Sequence, residues 1–313
     1  MDSEVAHDFH PLFRVYKDGH VERFLVTDTI PPSDDPSSGV RSKDVLISTQ
    51  PNLSARLFLP KTTHPTKKLP LVIYIHGGAF SIQSPFSSLY HNYLNSLVAE
   101  AKVIAVSIDY RLAPEHPIPA CYDDSWRVLQ WVALHSNSKN GQGPEPWLND
   151  HARFDQVFLA GDSAGANIAH NMAVRAGVDG LGIGVNLVGM VLVHPFFGNN
   201  EIDKLWMFIC PETSGWDDPR LNPAANPSLL SKLGCTKVLV CTAGKDHLRE
   251  RGWSYYEALR KSTEWGGEVE IMEIEGEDHV FHLFKPTCDK AGTLMNKVAS
   301  FLNLGQAQAP SLL

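Results

Sequence analysis

The stretch Val157-Phe158-Leu159-Ala160-Gly161-Asp162-Ser163-Ala164-Gly165-Ala166-Asn167-Ile168-Ala169-His170 decides how this chain is read. Its first four residues are an apolar run that suits a buried strand, and residues 166–173 read as a helix. Between them lies the pattern G-x-S-x-G, Gly161 to Gly165. A serine on so sharp a strand-to-helix turn is strained, and its oxygen projects from the end of the sheet. Gly161 and Gly165 carry no β-carbon, so strand and helix can approach closely. The helix N-terminus aims N–H groups and the positive end of its dipole at the place where an oxyanion would form. The pattern therefore predicts Ser163 as a nucleophile and the N–H of Ala164 as an oxyanion donor. An ordinary glycine-rich turn satisfies the same five positions, so the rest of the chain has to supply an oxyanion loop, an acid and a base.

The oxyanion loop is found upstream. Ile75-His76-Gly77-Gly78-Ala79-Phe80 follows the apolar run Leu71 to Ile75. Small residues are needed where backbone N–H groups must come within about 2.7–3.1 Å of a developing O⁻. Gly77 and Gly78 meet that need and are predicted as donors beside Ala164.

Acid and base follow from topology, since composition cannot choose among 14 histidines. Behind a serine on such an elbow, the chain order is Ser, then Asp or Glu, then His. Val238 to Cys241 reads as a strand, and Asp246 lies just past its end, where catalytic loops gather. Val269 to Ile274 reads as the last strand, followed by Glu275-Gly276-Glu277-Asp278-His279-Val280-Phe281-His282. His279 is the predicted base, with His282 as rival. Asp278 and Glu277 are weaker candidates for the acid because adjacency to His279 hinders side-chain pairing.

Strand-like and helix-like runs alternate along the chain, which predicts a mostly parallel sheet covered by helices. Val21 to Val26, Val45 to Ile47 and Leu53 to Leu59 read as opening antiparallel strands. Buried strands are expected at Leu71 to Ile75, Val103 to Ile108, Val157 to Ala160, Leu187 to Val193, Val238 to Cys241 and Val269 to Ile274. Helices are expected from Tyr122 to Ala133, Arg249 to Lys261 and Asp289 to Leu302. The proline-rich piece Pro31 to Pro36 reads as a loop, and Gly305 to Leu313 as a frayed tail. From Phe196 to Asn226 the rhythm breaks. This long insertion carries Pro211, Gly215, Pro219 and Pro223 together with Trp206, Met207, Phe208 and Trp216. It reads either as part of a lid over the site or as filling for a peripheral core.

The chain has 313 residues and a formal net charge of −8. With no clustered Lys/Arg run, it lacks the footprint of a nucleic-acid binder. Its five cysteines, Cys121, Cys210, Cys235, Cys241 and Cys288, are scattered and odd in number, which fits reduced, mostly buried thiols. The N-terminus is acidic and lacks the apolar core of a secretory signal, and no apolar run is long enough to span a bilayer. A cytoplasmic protein is expected. No metal is called for: His279 and His282 have no H-E-x-x-H pattern or cysteine cluster beside them. Gly180-Leu181-Gly182-Ile183-Gly184 precedes a strand instead of following one, which argues against a dinucleotide loop. His170 reads as a structural histidine on the elbow helix.

Taken together, His76 to Phe80, Asp109-Tyr110-Arg111-Leu112-Ala113-Pro114-Glu115-His116, Gly161 to Asn167 and Asp278 to His282 resemble the hormone-sensitive-lipase-like α/β-hydrolases. The similarity is greatest to the plant carboxylesterase branch, which Phe13-Arg14-Val15-Tyr16-Lys17-Asp18-Gly19 also resembles. The resemblance implies an α/β-hydrolase fold in a single domain, with about eight central strands and a partial cap from about residues 1–40 and 196–228. It implies a Ser163–Asp246–His279 triad, an oxyanion loop at Gly77 and Gly78, and a structural role for Arg111 and Glu115 as members of ion pairs. Ala79 stands at the fourth position of the motif, where the family has glycine, and would narrow the acyl pocket. Phe80, Phe196, Trp206, Met207, Trp216 and Val280 are the other expected pocket residues. The implied activity is hydrolysis of small carboxylic esters without a cofactor, by a monomer or weak homodimer. The branch also holds non-hydrolytic lyases or cyclases and a hormone receptor. The receptor lacks the catalytic histidine that this chain keeps as His279, and the dehydratases often carry threonine where this chain has Ser163.

Overall fold

The structure, a computed structural model, describes residues 4–25, 28–61, 68–136, 143–199 and 201–304. Three short strands, β1 (Val5–Phe9), β2 (Phe13–Tyr16) and β3 (Val21–Arg23), pair antiparallel in a small sheet of their own. The main sheet contains β4 (Asp34–Asp35), β5 (Val40–Thr49), β6 (Asn52–Pro60), β7 (Leu69–Ile75), β8 (Ile104–Asp109), β9 (Ala152–Asp162), β10 (Leu187–Val193), β11 (Lys237–Ala243) and β12 (Glu268–Ile274). Their order is β12-β11-β10-β9-β7-β8-β6-β5-β4. From β8 to β12 neighbouring strands are parallel, and β6, β5 and β4 add antiparallel pairs at one edge. The ninth strand, against about eight expected, is the two-residue β4 inside the proline-rich stretch read as a loop.

Alternation along each strand divides the core between the two faces. In β7, Leu71, Ile73 and Ile75 join the cluster under the helices Ala120–Ala133, Ala164–Asp179 and Arg249–Lys261. Val72 and Tyr74 join the opposite cluster, beneath Ser88–Ala101 and Asp289–Leu302.

The predicted strands and helices keep their types, and several change their ends. Helices Arg249–Lys261 and Asp289–Leu302 and strand Leu187–Val193 have the expected bounds. The strand expected from Val21 ends at Arg23, and Val26 lies outside the described residues, as does the tail from Gly305. The run around Val45 is the middle of a ten-residue strand, because cross-strand pairing with β6 extends it over polar residues. The helix Ser88–Ala101 is absent from the sequence reading, although Tyr90, Leu94, Leu97, Val98 and Ala101 recur at helical spacing and are buried. All five cysteines are free thiols. No helix among the described residues is long and apolar enough to cross a membrane.

The strand order positions the site. The chain lays β8 on one side of β7, then crosses to place β9 on the other. Ligands in open α/β sheets gather at such a switch point, beyond the carboxyl ends of the strands. The loop after β7 and the elbow after β9 are thereby neighbours, with Ile75 paired to Gly161.

Candidate active site

Ser163 occupies the turn between β9 and the helix Ala164–Asp179 with φ 52° and ψ −119°. An L-residue there is strained, and the strain is held by its surroundings. Its N–H donates to Val193 O at 2.9 Å, and its carbonyl accepts from Phe196 N–H at 2.9 Å. The close approach expected of the glycines is present. A β-carbon on Gly165 would lie 2.0 Å from the carbonyl oxygen of Ile75, so no other residue fits without moving the backbone.

Asp246, His279 and Ser163 stand in a hydrogen-bonded line. His279 Nδ1 is 2.8 Å from Asp246 Oδ2, and His279 Nε2 is 2.9 Å from Ser163 Oγ. An ionised Asp246 can only accept, so Nδ1 carries the proton and Nε2 is left to accept from the serine hydroxyl. Burial pushes the Asp246 carboxyl up. The hydrogen bond and charge of His279, the Leu248 N–H and His194 outweigh burial and hold it below the usual carboxylate range. The rival His282 is buried against Tyr93, with neither ring nitrogen partnered among the described residues and its basicity far below an ordinary imidazole through desolvation. Glu277 faces Lys285 and Lys290 instead of a histidine. His170 bonds Tyr255 Oη at 3.0 Å, a structural contact as expected.

The loop after β7 differs from the sequence reading in one respect. The N–H of Gly77 donates to Tyr90 Oη at 2.8 Å, and that hydroxyl donates onward to Asp162 Oδ2 at 2.8 Å. The Tyr74 hydroxyl donates to the other oxygen, Asp162 Oδ1, at 2.8 Å. Gly77 is therefore already committed and is not available to an oxyanion. Among the described residues, the N–H groups of Gly78 and Ala79 have no protein acceptor. Gly78 adopts φ 105°, which turns the loop, and a β-carbon there would meet Ile82 O at 2.2 Å. Tyr110 braces the loop from behind, with its ring stacked on His76 and its hydroxyl donating to His76 O at 2.9 Å. Arg111 and Glu115 are ion-pair members, but not with each other. Arg111 pairs with buried Asp124, and Glu115 with Arg23.

Ser163 and His279 open into a cavity of about 480 Å³. Of the expected pocket residues, Ala79, Phe196 and Val280 line it together with Gly78. Phe80, Trp206, Met207 and Trp216 do not. Phe80 and Trp206 are core residues packed edge to face on each other, and Trp206 Nε1 donates to Thr213 at 2.7 Å. Met207 and Trp216 point outward and are 44% exposed. The walls come instead from Leu12, Phe24 and Leu25 of the N-terminal segment, and from Ile82, Leu89, Leu205, Leu248, Leu283 and Phe284. Within the insertion after Phe196, Phe197 and Trp206 fill core, while Phe196, Asp203 and Leu205 face the cavity. Arg23 ties the N-terminal sheet down by bonding Ser81 O, Ala113 O and both oxygens of Glu115.

Among the described residues, His194, Asp246 and His279 form the one grouping with metal-ligand spacing, their ligand atoms within 4.8 Å of one another. Their lone pairs are in use. His194 Nδ1 accepts the N–H of Val280 at 2.7 Å, and His279 spans Asp246 and Ser163.

A family model described as the α/β-hydrolase fold matches residues 72–283, which span the loop after β7, the elbow and both later candidate residues. The chain belongs to the α/β-hydrolase family. It is 49% identical to "Probable carboxylesterase 5" of Arabidopsis thaliana, over 96% of this chain and 99% of that protein. It is 44% identical to 2-hydroxyisoflavanone dehydratase of Glycyrrhiza echinata, over 96% of each. Among solved structures, it resembles a hyperthermophilic esterase of the archaeon Pyrobaculum calidifontis, with a TM-score of 0.65 and 26% identity over 84% of this chain and 85% of that one. Within the family it groups with the plant carboxylesterases.

Proposed function

We propose that this α/β-hydrolase is a serine carboxylesterase acting on small, uncharged esters through an acyl-enzyme on Ser163. The observation that carries the reading is the line Asp246–His279–Ser163, with gaps of 2.8 and 2.9 Å, at the floor of an apolar cavity. His279 Nε2 takes the proton of Ser163 as Oγ attacks the ester carbonyl. Asp246 keeps the imidazole in its tautomer and stabilises the charged form. The N–H groups of Gly78, Ala79 and Ala164 receive the oxyanion. His279 then gives its proton to the departing alkoxide. Water, activated by the same imidazole, attacks the acyl-enzyme, and Ser163 leaves protonated with release of the acid. The residues in these roles need neither a metal nor an organic cofactor.

The cavity supports the substrate class. Its lining is largely aliphatic and aromatic, without a lysine or arginine among the described residues, and its carboxylates are Asp162 and Asp203. A substrate carrying a free carboxylate would meet no cation there. We assign the cap to the N-terminal segment and the insertion after Phe196, since both contribute walls.

Labelling with a fluorophosphonate followed by peptide mapping tests the nucleophile, alongside turnover of p-nitrophenyl esters of increasing acyl length. The reading requires the label on Ser163 and turnover that stops in Ser163→Ala. Label elsewhere, or turnover in the folded alanine variant, would overturn it. The 44% identity to a dehydratase motivates a second reading in which the same groups move protons without acylation. Loss of water from a 2-hydroxyisoflavanone, persisting when Ser163 is labelled, would favour it.

A further inference from the structure

His194 plays no part in the chemistry above, yet it sits where the three loops carrying Ser163, Asp246 and His279 meet. It follows β10 directly. The residue before it, Val193, accepts the N–H of Ser163 at 2.9 Å. Its own N–H donates to Cys241 O at 2.8 Å, near the end of the strand that leads to Asp246. Its side chain reaches the third loop, where Nδ1 accepts the N–H of Val280, next to His279, at 2.7 Å. Both ends of that last bond are in left-handed backbone, with φ 49° at His194 and 45° at Val280. Bulky and β-branched residues seldom adopt this conformation, so something must hold it.

The bond also fixes the tautomer. A backbone N–H can only donate, so His194 Nδ1 is bare and the proton is on Nε2. The ring is fully buried, and desolvation keeps it neutral, down at about 3. It is faced by Asp246 Oδ2 at 3.9 Å from Nδ1, by His279 and His282 with ring centroids at 5.8 and 5.7 Å, and by Phe281 at 5.9 Å. His194 Nε2 and both nitrogens of His282 have no partner among the described residues. The ring does not line the cavity.

We propose that His194 is a positioning residue: by accepting the Val280 N–H it holds the backbone that carries His279 and so sets the imidazole between Asp246 and Ser163. Three bonds through one dipeptide, Val193-His194, lock the nucleophile loop, the acid's strand and the base's loop into one register. A neutral acceptor is what the position requires. A protonated imidazole would present an N–H to an N–H, and an aliphatic side chain would leave the Val280 amide unpaired. The residue acts through His279 and touches no substrate.

The test compares three variants on p-nitrophenyl butyrate. In His194→Asn the amide oxygen takes the place of Nδ1, and asparagine tolerates left-handed backbone. In His194→Gln the oxygen falls nearer the Nε2 position, and His194→Leu has no acceptor. The expected result is kcat within about threefold of wild type for Asn and a roughly 30-fold fall for Gln and Leu, with KM changed less than twofold, because misplacing a reacting group by an ångström can cost about a hundredfold. The downfield proton resonance of the His279 Nδ1–H should persist in wild type and Asn, and broaden or vanish in folded Gln and Leu proteins. The kinetic part rests on the esterase reading, whereas the resonance does not. Wild type without turnover but with the resonance would count against the esterase reading alone. Gln or Leu variants that keep both kcat and resonance would overturn the role of His194, as would an Asn variant as impaired as Leu. Gln remains a folded comparison if Leu does not fold.

Discussion

The hydroxyl of Tyr90 accepts the N–H of Gly77 and donates to Asp162, so a helix far from the nucleophile in sequence anchors the loop facing it. Tyr90→Phe removes both bonds at once and strands a buried amide, a loss of about 1–3 kcal/mol. The loop carrying Gly78 and Ala79 is then free to turn away. The expected outcome is a kcat/KM about 10- to 100-fold lower on a p-nitrophenyl ester. Tyr74→Phe is the comparison, since it takes one donor from Asp162 and leaves the loop amide paired. It should lose much less, and steady-state kinetics on the two variants decide the matter.

Groups that act as a unit are not additive. Ser163→Ala should therefore lower kcat by at least about 10³-fold, and adding His279→Ala should cost almost nothing more. A double variant much slower than either single one would show the two side chains acting separately.

Acid stability follows from the buried imidazoles. Burial lowers His76 to about 4, His170 to about 3 and His194 to about 3. In the unfolded chain each takes a proton near its ordinary value of 6.5, so between there and 4 the unfolded state binds more protons than the folded one. Their contribution is complete above about pH 6.5 and is lost as pH falls, by roughly 1.4 kcal/mol per pH unit for each. Asp162 runs the other way. Burial pushes it up to about 6, so the folded state takes its proton first and gains stability as pH falls from 6 toward 3.8. The histidines outnumber it, and urea midpoints should drop between pH 6 and 4. His170→Gln should flatten that slope by about one histidine's share.

Charge should govern substrate choice. p-Nitrophenyl butyrate and p-nitrophenyl hemisuccinate have acyl chains of equal length, but the second ends in a carboxylate. In a cavity whose carboxylates are Asp162 and Asp203, with no lysine or arginine among its described lining, the butyrate should be favoured at least about tenfold in kcat/KM. Equal rates would place the acyl chain somewhere other than this cavity.

The features legible in the sequence are those with local rules. The elbow can be read because a serine at φ 52° between two close-packed elements demands small neighbours within five residues. Asp246 and His279 can be read because each follows an apolar strand, and the structure brings them within 2.8 Å. The proposed oxyanion donors lie one residue along from the reading because Tyr90, thirteen residues away, claims the amide of Gly77. No local pattern announces that. The pocket was the least legible part. A large aromatic side chain can face either a core or a cavity. Trp206 faces core because Thr213 meets its indole N–H and Phe80 its ring, whereas Phe196, equally apolar, lines the cavity. Leu12, Phe24 and Leu25 escaped notice because their place in the wall depends on a small sheet clasped through Arg23 to the loops after β7 and β8.

That clasp divides the chain's labour by sequence position. The groups proposed to break the bond lie between residues 76 and 279, while part of the wall proposed to face the ester is Leu12, Phe24 and Leu25. On that proposal, edits to the leading segment alone would change selectivity and leave the hydrolytic centre untouched. For the experimentalist it makes residues 4–25 a cassette. Exchanged between relatives with Arg23 and Glu115 retained, it should move substrate preference without rebuilding an enzyme.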